Sequence, residues 1–255
     1  EHIVLLTFTR RAAQEMMNRA TEILDERCQR IKGGTFHSFC TQILREHGTL
    51  LGISNDFTIL DTSDTHDVLH HLRSKFVEKK KGERYPNKQT LGKLFSLKRN
   101  KQMDIRVLLQ QYYPQFIKLE DSIFELYKAF ESYKSIHHLL DFDDLLTKTL
   151  QVFDENPRVG EQIASTIEYL LVDEYQDTNM AQNEIVLALG GATDPAGVHN
   201  VCVVGDSDQS VYRFRGADLR NIIQFEDAFA DVTTIVLDQN YRSTQTILDA
   251  ANAVI

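Results

Sequence analysis

Residues 169–178 read YLLVDEYQDT, an apolar run followed at once by two adjacent carboxylates, Asp173 and Glu174. A run that is apolar at successive positions, rather than at alternate ones, indicates a strand buried on both faces, as in a parallel sheet covered by helices. Ligands of such sheets bind at the carboxyl ends of the strands, which is where this acid pair would stand. The stretch therefore predicts an α/β fold with a candidate site at one edge of its sheet.

Other stretches extend this prediction outward along the chain. Strands are predicted for HIVLLTF (2–8), NVCVVGD (200–206) and TTIVLD (233–238), with a weaker candidate at RIKGGTF (30–36). Helical patterns follow them, and this alternation is typical of α/β architecture. Between about 62 and 150, by contrast, apolar residues recur every three or four positions and no strand-like run interrupts them. That region is predicted to be a mostly helical insertion.

The composition is that of an ordinary soluble globular protein, with 42% apolar and 25% charged residues among 255. No apolar run approaches the roughly 18–20 residues that a membrane span needs. The three cysteines are widely separated and form no zinc-type cluster, which favours a reduced, intracellular compartment. Adjacent histidines at 70–71 and 137–138 would point about 100° apart on a helix, so neither pair predicts a metal site.

The net charge of −9 argues against a uniformly basic nucleic-acid-binding protein, but positive charge is concentrated in one window. From Arg73 to Arg106 there are twelve Lys or Arg residues against three acids, so this window carries +9 and the remainder of the chain −18. Such a basic island indicates an anionic partner engaged at one place, or else a solvated helical surface.

An apolar strand that ends in Asp-Glu has the arrangement of a Walker B element in a nucleotide hydrolase. Asp173 would then hold Mg²⁺, usually through water, and Glu174 would polarise the attacking water. The alternative is a solvated strand end. The stretch VVGDSDQSVYRFRGAD (203–218) favours the enzyme, because it follows a second buried strand with Gln209, which can report a γ-phosphate through its amide.

The same stretch interleaves aromatic rings with an arginine, at Tyr212, Phe214 and Arg215. Flat faces and a cation suit stacking on single-stranded bases and pairing with phosphates. For Phe214 alone, packing in the core is the alternative.

Five stretches occur in a set order: TFTRRAAQEM (7–16), GTFHSF (34–39), LLVDEYQDTN (170–179), VVGDSDQSVYRFRGAD (203–218) and LDQNYRST (237–244). In order and near spacing they resemble the motifs of the superfamily 1A DNA helicases, and the chain is similar to the UvrD/PcrA/Rep branch over essentially its whole length. LDFDDLL (140–146) also resembles the segment by which that family's helical subdomain returns to the ATPase core.

The resemblance implies a RecA-like parallel sheet with helices on both faces and an inserted helical subdomain. It divides the chain into the first part of ATPase lobe 1A (1–60), subdomain 1B (61–140) and the second part of lobe 1A (141–255). The implied activity is ATP-dependent 3′ to 5′ translocation on single-stranded DNA with unwinding of duplex, in repair, replication or recombination. ATP and Mg²⁺ would be the cofactors, and single-stranded and forked duplex DNA the partners. The location would be cytoplasmic, with nucleoid association in a bacterium.

The resemblance also implies roles for individual residues. Asp173 and Glu174 keep the magnesium and water-activating roles, and Gln209 would couple the γ-phosphate to DNA. Tyr241 would stack on adenine, and Arg242 would reach the γ-phosphate as an arginine finger. DNA contacts are implied for Phe8, Arg10, Arg11, Thr35, His37, Tyr212, Phe214 and Arg215. For His37, a capping or packing role is the alternative.

The sequence departs from the family at three places. Relatives commonly have Asn-Lys where this chain has Arg10 and Arg11, and many have Trp in place of Phe214. A phosphate-binding loop needs Gly-x4-Gly-Lys-Ser/Thr, whereas the single Gly-Lys pair here, Gly92-Lys93, lies in the helical region and is followed by Leu. Because the loop precedes the first motif in the family, and the chain opens inside a strand without Met, we expect a fragment that hydrolyses negligible ATP alone.

Two other functions fit some of the same motifs. The motor subunit of an AddA/RecB-type helicase–nuclease shares DEYQDT-like and QSxYRFR-like motifs, although the GDSDQS wording and the modest insertion favour the UvrD side. A degenerate lobe that serves only as a binding module is the other alternative. Each motif present keeps its chemically needed residue, which disfavours decay.

Overall fold

The computed structural model describes residues 2–25, 28, 31–77, 84–191, 200–210, 217, 218, 220–223, 225–229 and 231–253. The strands are β1 (Ile3–Thr7), β2 (Lys32–Thr35), β3 (Thr58–Leu60), β4 (Leu139–Asp141), β5 (Tyr169–Val172) and β6 (Val201–Val203). The α-helices are α1 (Arg10–Ile23), α2 (Phe36–His47), α3 (Thr62–Val77), α4 (Lys88–Asn100), α5 (Ile105–Tyr112), α6 (Glu120–Ile136), α7 (Phe142–Glu155), α8 (Pro157–Ser165), α9 (Met180–Gly190), α10 (Arg220–Ile223), α11 (Phe225–Ala228) and α12 (Gln245–Asn252). None of these helices is long and apolar enough to cross a bilayer.

The main sheet is parallel and has the strand order β2-β1-β5-β6. Four predicted strands are confirmed, at 2–8, 30–36, 169–173 and 200–206. Because β1 and β5 are central, the chain segments that follow them meet at the same carboxyl edge of the sheet. The mixed α/β fold with a parallel sheet is therefore as predicted.

Helices pack on both faces of this sheet. On one face, alternate residues of β1 and β5 join side chains of α2, α7 and α9 in one hydrophobic cluster, which includes Val4, Leu6, Leu170 and Val172. On the other face α1 lies so close to β2 that a Cβ on Gly33 would come within 2.7 Å of Met17 Sδ. Burial on both faces leaves the carboxyl edge as the place where polar side chains emerge.

The insertion consists of α3 to α6, as the three- and four-residue periodicity predicted. It has its own hydrophobic cluster, separate from that of the sheet. The buried members are Leu69, Leu72, Tyr85, Leu91, Leu94, Phe95, Ile105, Leu108, Leu109, Leu119, Ile123, Leu126 and Phe130. The structure therefore has two hydrophobic clusters, one on the sheet and one among α3 to α6, and the division of the chain near residues 60 and 140 remains a prediction.

Two predictions about strands are wrong. The first is that no strand interrupts 62–150, since β4 lies there and pairs in parallel with β3, placing Leu139 opposite Thr58. A strand this short is decided by a distant partner and leaves no local periodicity. The second concerns 233–238, which has no regular secondary structure and whose Ile235, Val236 and Leu237 are 78–83% exposed. Its apolar pattern suits a strand, but no strand in the described part of the chain pairs with it.

A buried ionic cluster fixes the root of the insertion, where α4, α6 and the start of α7 meet. The Arg99 guanidinium lies 2.8 Å from Asp141 Oδ2 and 3.1 Å from Asp143 Oδ2. The Lys134 ammonium lies 2.6 Å from Asp144 Oδ2 and 3.2 Å from the same Asp141 oxygen. Burial opposes the charge on Asp141, but the two cations hold its pKa below the usual value. Separating these groups would leave uncompensated charges in the interior, so the cluster ties the insertion to α7.

Candidate functional site

The acid pair of the sequence lies where β5 leaves the sheet. Asp173 N donates to Leu6 O at 3.0 Å, and Tyr175 N donates to Val204 O at 2.9 Å. The turn that carries Asp173 and Glu174 is thus hydrogen-bonded to the strands on either side of β5. This fixes the backbone of the two acids at the centre of the carboxyl edge.

Glu174 has an unusual backbone conformation, with φ 54° and ψ 44°. This left-handed region costs a residue with a side chain on the order of 1 kcal/mol or more, and such strain clusters at functional sites. Its carbonyl accepts a hydrogen bond from Asp177 N at 3.0 Å, which closes a short 3₁₀ turn over Tyr175–Asp177. The conformation turns the chain sharply and leaves the Glu174 side chain exposed.

The electrostatics of the pair suit a divalent cation. Partial burial, together with the neighbouring charge of Glu174, raises the pKa of Asp173. No Lys, Arg or His of the described residues forms an ion pair with either carboxylate. No group of three His, Cys, Asp or Glu residues suited to a metal occurs in that part of the chain. The arrangement fits Mg²⁺, which takes one or two carboxylates and completes its shell with water and phosphate oxygens.

A relay of hydrogen bonds joins Glu174 to Gln209 through a buried amide. Gln176 Nε2 donates to Glu174 Oε2 at 2.7 Å, and Gln176 Oε1 accepts from Asp206 N at 3.1 Å. Gln209 Nε2 then donates to Asp206 Oδ2 at 2.6 Å. Because Asp206 N can only donate, the orientation of the Gln176 amide is fixed by the network. The structure therefore connects Glu174 and Gln209, two of the predicted catalytic residues, through a chain of hydrogen bonds.

Gln176 is a residue that the sequence reasoning missed. Gln176 is 1% exposed. Buried polar groups of proteins are nearly always hydrogen-bonded, and here both ends of the amide have a partner. No local sequence signal identified it, because its role depends on its contacts with Glu174 and Asp206. Gly205 makes room for it, since a Cβ there would lie 2.5 Å from Gln176 Oε1 and 2.7 Å from Ile222 Cδ1.

Two predicted DNA-contact residues, Arg10 and Arg11, are exposed in the first turn of α1. Thr9 caps this helix by accepting from Ala12 N at 3.1 Å, and the first turn contains no acid. Cations at a helix N-terminus are disfavoured by the helix dipole, whereas an anion bound there is favoured. The placement suits an anionic ligand that would offset the repulsion. Phe8, at the end of β1, is half-buried beside them.

Thr35 and His37 have structural contacts of their own at the start of α2. Thr35 Oγ1 accepts from Ser38 N at 3.2 Å in a capping box, and Thr35 is 9% exposed. The His37 ring packs edge-on against Phe142 at 5.5 Å between centroids. Burial lowers the pKa of His37, although the charge of Asp143 opposes this. Contacts of these two residues with DNA remain a prediction.

Phe142 is an exposed aromatic residue that the sequence reasoning did not select. It is the first residue of α7 and stands beside the His37 ring. The stretch LDFDDLL (140–146) predicts only the return of the chain from the insertion to the core. An apolar ring between two acids at a helix start, with a capping box formed by Asp141 and Asp144, was the signal available.

Tyr212, Phe214 and Arg215 lie outside the described residues, but both flanks of that segment are anchored to the acid-pair turn. Before it, Ser210 Oγ donates to Gln176 O at 3.4 Å. After it, Asp218 N donates to Thr178 O at 3.0 Å, and Ala217 forms an isolated bridge with Asn179. The described residues on either side of it, Ser210, Ala217 and Asp218, therefore lie next to the acid-pair turn.

Tyr241 and Arg242 are not brought to the acid pair. Tyr241 is 92% exposed, and the loop is held locally by Asn240 Oδ1, which accepts from Arg242 N at 2.9 Å and Ser243 N at 2.8 Å. No hydrogen bond or ion pair between the described residues joins Arg242 to Asp173 or to Glu174. Their roles toward the nucleotide remain predictions.

Two of the twelve basic residues of the window 73–106, Arg73 and Arg84, line a groove of about 800 Å³ on the insertion. Arg84, Lys118, Tyr113 and Phe116 contribute to its lining. Arg73 also reaches it, but its Nε donates to Pro86 O at 2.6 Å and so has a structural role. Lys79, Lys80 and Lys81 lie outside the described residues. The groove offers cations and aromatic faces on the same surface.

Comparison with known proteins adds a finding independent of this geometry. The sequence matches the UvrD/REP helicase N-terminal domain over residues 1–230. It is 38% identical over 257 aligned positions to the ATP-dependent DNA helicase PcrA of Staphylococcus epidermidis, covering 100% of this chain and 33% of that protein. The protein of the same name from Staphylococcus aureus gives the same identity and coverage. The chain thus spans about a third of the length of these relatives.

Proposed function

The chain belongs to the UvrD/REP helicase family, whose N-terminal domain it matches over most of its length, and we propose that it is the nucleotide- and DNA-binding part of an ATP-dependent DNA helicase. The observation that carries the proposal is the acid pair at the carboxyl edge, hydrogen-bonded through Gln176 and Asp206 to Gln209. A site built in this way serves phosphoryl transfer, where positioning and electrostatics supply most of the catalysis.

In this proposal Asp173 would hold Mg²⁺, and Glu174 would accept a proton from the water that attacks the terminal phosphate. The metal would supply positive charge to the phosphate oxygens of ATP. Gln176 orients the Glu174 carboxylate through its 2.7 Å hydrogen bond and so aims its free oxygen. Gln209 would contact the terminal phosphate, Tyr241 would stack on adenine, and Arg242 would stabilise the charge of the departing phosphate. The roles of Tyr241 and Arg242 require the 240–243 loop to approach the acid pair.

Single-stranded DNA would lie along the same edge of the sheet. Arg10 and Arg11 would pair with DNA phosphates at the N-terminus of α1. Phe8, Thr35 and His37 would lie beside the DNA. Phe142 adds an exposed ring on which a base could stack. Tyr212, Phe214 and Arg215 would extend this track, and the anchoring of their flanks to Gln176 and Thr178 supports a link between DNA and nucleotide. The expected direction of movement is 3′ to 5′.

Duplex DNA ahead of the fork would meet the insertion. The groove that contains Arg84 and Lys118 supports this proposal, because it presents positive charge on a chain that is acidic overall. We assign 1–60 and 141–255 to a RecA-like lobe and 61–140 to the inserted subdomain. The location would be cytoplasmic, near the nucleoid in a bacterium.

Hydrolysis is tested with Glu174→Gln in a full-length protein that contains this chain. The variant should bind ATP, measured with a fluorescent analogue, but lose turnover stimulated by single-stranded DNA, measured as phosphate release. Glu161→Gln is the matched control, since Glu161 is an exposed acid on α8. Normal turnover by Glu174→Gln would contradict the role of Glu174.

The isolated 255-residue chain should release negligible phosphate, because the sequence contains no Gly-x4-Gly-Lys-Ser/Thr loop. If the full-length protein also bound DNA without hydrolysing ATP, the chain would act as a binding module. A nuclease domain in the same gene would instead support the helicase–nuclease alternative.

A further inference from the structure

Asn179 is contacted from the helical insertion as well as from its own helix. As the N-cap of α9, its Oδ1 accepts from Gln182 N at 2.9 Å, and its backbone N donates to Gln182 Oε1 at 3.0 Å. Its remaining donor, Nδ2, lies 3.2 Å from Oδ1 of Asn100. Because the capping box already satisfies the helix terminus, the bond to Asn100 is not needed to form α9.

Asn100 is the buried last residue of α4. Its Nδ2 donates to Asp143 Oδ1 at 2.9 Å and to Ser96 Oγ at 3.1 Å, so its orientation is set before it meets Asn179. The preceding residue, Arg99, is held in the ionic cluster at the root of the insertion. The end of α4 is therefore joined both to the rest of the insertion and to the start of α7.

Thr178, the neighbour of Asn179, receives contacts from a third direction. Thr178 O accepts from Asp218 N at 3.0 Å and from Asn221 Nδ2 at 3.0 Å. Thr178 Oγ1 donates to Tyr175 O at 2.6 Å, within the turn that follows Glu174. The pair 178–179 thus joins the insertion, the acid-pair turn and the segment after 211–216.

We propose that Thr178 and Asn179 form a mechanical junction, and that Asn100 is a positioning residue that fixes the acid-pair turn relative to the helical insertion. A shift of the insertion would be transmitted through the bond from Asn179 Nδ2 to Asn100 Oδ1 to the turn that begins at Glu174. The insertion would thereby influence the geometry of Glu174 without touching a nucleotide. Only the effect on hydrolysis rests on the function proposed above.

The positional part is tested on this chain by amide hydrogen exchange. Asn100→Ala should speed exchange of amides 174–182 by about 3- to 10-fold, as expected when one hydrogen bond that restrains a local opening is lost. Glu184→Ala is the matched control, because it removes a second contact from the insertion to α9, Gln102 Nε2 to Glu184 Oε2 at 3.2 Å, without affecting Asn179. Equal effects of the two substitutions, or no change at 174–182, would overturn the proposal.

Asn179→Ser provides a second route if Asn100→Ala folds poorly. Serine keeps an acceptor for the N-cap but is too short to reach Asn100. It should reproduce the faster exchange at 174–182. Adding Asn100→Ala to it should have little further effect on these amides, since the other bonds of Asn100, to Asp143 and Ser96, do not involve residues 174–182. Additive effects would show that the two residues act separately.

The effect on hydrolysis is tested with Asn100→Ala in a full-length protein. We expect kcat to fall about 3- to 10-fold while KM for ATP stays unchanged, because the turn is misplaced but Asp173 and Gln209 remain. A rise in KM with unchanged kcat would overturn a positioning role. If the unsubstituted protein did not hydrolyse ATP, the proposed function would fail, whereas the exchange result would still decide the junction.

Discussion

The positions of Arg10 and Arg11 indicate where an anionic ligand would bind. Both are exposed in the first turn of α1, where the helix dipole disfavours them and no acid in that turn offsets their charge. Further along the same helix, Arg19 lies 2.6 Å from Glu15 and has its own partner. Arg19 is therefore already paired with a carboxylate, whereas Arg10 and Arg11 have no acid in their turn and are better placed to bind an anion.

We expect that difference to appear in the salt dependence of DNA binding. Arg10→Ala and Arg11→Ala should each reduce the slope of log K against log salt for single-stranded DNA by about 0.7, because each removes one phosphate contact. Arg19→Ala should leave the slope unchanged. The measurement is a fluorescence anisotropy titration of this chain at several salt concentrations. Equal slopes for all three variants would mean that Arg10 and Arg11 make no phosphate contact with the DNA.

Gly205 is the second residue with a sharp expectation. Gly205→Ala should destabilise the chain by about 1–3 kcal/mol, because its Cβ would overlap the Gln176 amide and Ile222. Gly160→Ala, in α8, is the control: its nearest contact would be Phe153 at 3.7 Å, and it should stabilise by about 0.5–1 kcal/mol. Urea denaturation measures both. A stable Gly205→Ala variant would mean that Gln176 can rearrange freely.

The acids of the site could be predicted from the sequence, but the glutamine could not. Asp173 and Glu174 follow an apolar run directly, so local sequence gives their position. The role of Gln176 depends on Asp206, which is brought within 3.1 Å only because β6 pairs with β5. Local pattern carries no information about such a contact.

At the scale of elements, periodicity predicted the helices well and the strands less well. A helix satisfies its backbone within itself, whereas a strand depends on a neighbour. For this reason the apolar run at 233–238 gave a false strand, and β4, with β3 as its partner, gave no signal. The same dependence on distant partners applies to the ionic cluster that joins α4 and α6 to α7.

Arg99→Leu should destabilise the chain by about 3–5 kcal/mol at pH 7, because the surrounding carboxylates lose their main buried counterion. The lowered pKa of Asp141 fixes the pH dependence. Its contribution is complete above the usual pKa of 3.8 and is lost as the pH falls through its folded pKa. The difference from the unsubstituted chain should therefore shrink below pH 3.8. Urea midpoints measured across that range provide the check, and a constant difference would contradict this electrostatic origin.

At the scale of the whole molecule, the two hydrophobic clusters raise the question of cooperativity. One cluster includes Leu170 and lies between the sheet and its helices, and the other includes Leu108 and lies within the insertion. They are joined by the ionic cluster, by the β3–β4 pair and by the contacts of Asn100. Because these links are ion pairs and hydrogen bonds rather than a shared apolar core, the two clusters can open separately.

Native-state hydrogen exchange should resolve two opening units. Leu108→Ala should cost about 2–5 kcal/mol and speed exchange within α3 to α6, while leaving β1 and β5 protected. Leu170→Ala should show the reverse pattern. If either substitution accelerated exchange equally throughout, the chain would unfold as a single unit.

The short sheet of β3 and β4 also limits how this architecture can change. The two strands lie side by side and run in the same direction. Antiparallel neighbours can be joined by a two-residue hairpin, whereas parallel neighbours need a crossover of roughly a dozen residues or more. The helices between Leu60 and Leu139 are that crossover, so a tight turn cannot substitute for them. Over evolution, the insertion can be enlarged, shortened or exchanged for another long excursion, but it cannot be deleted without breaking the pair of strands from which it departs.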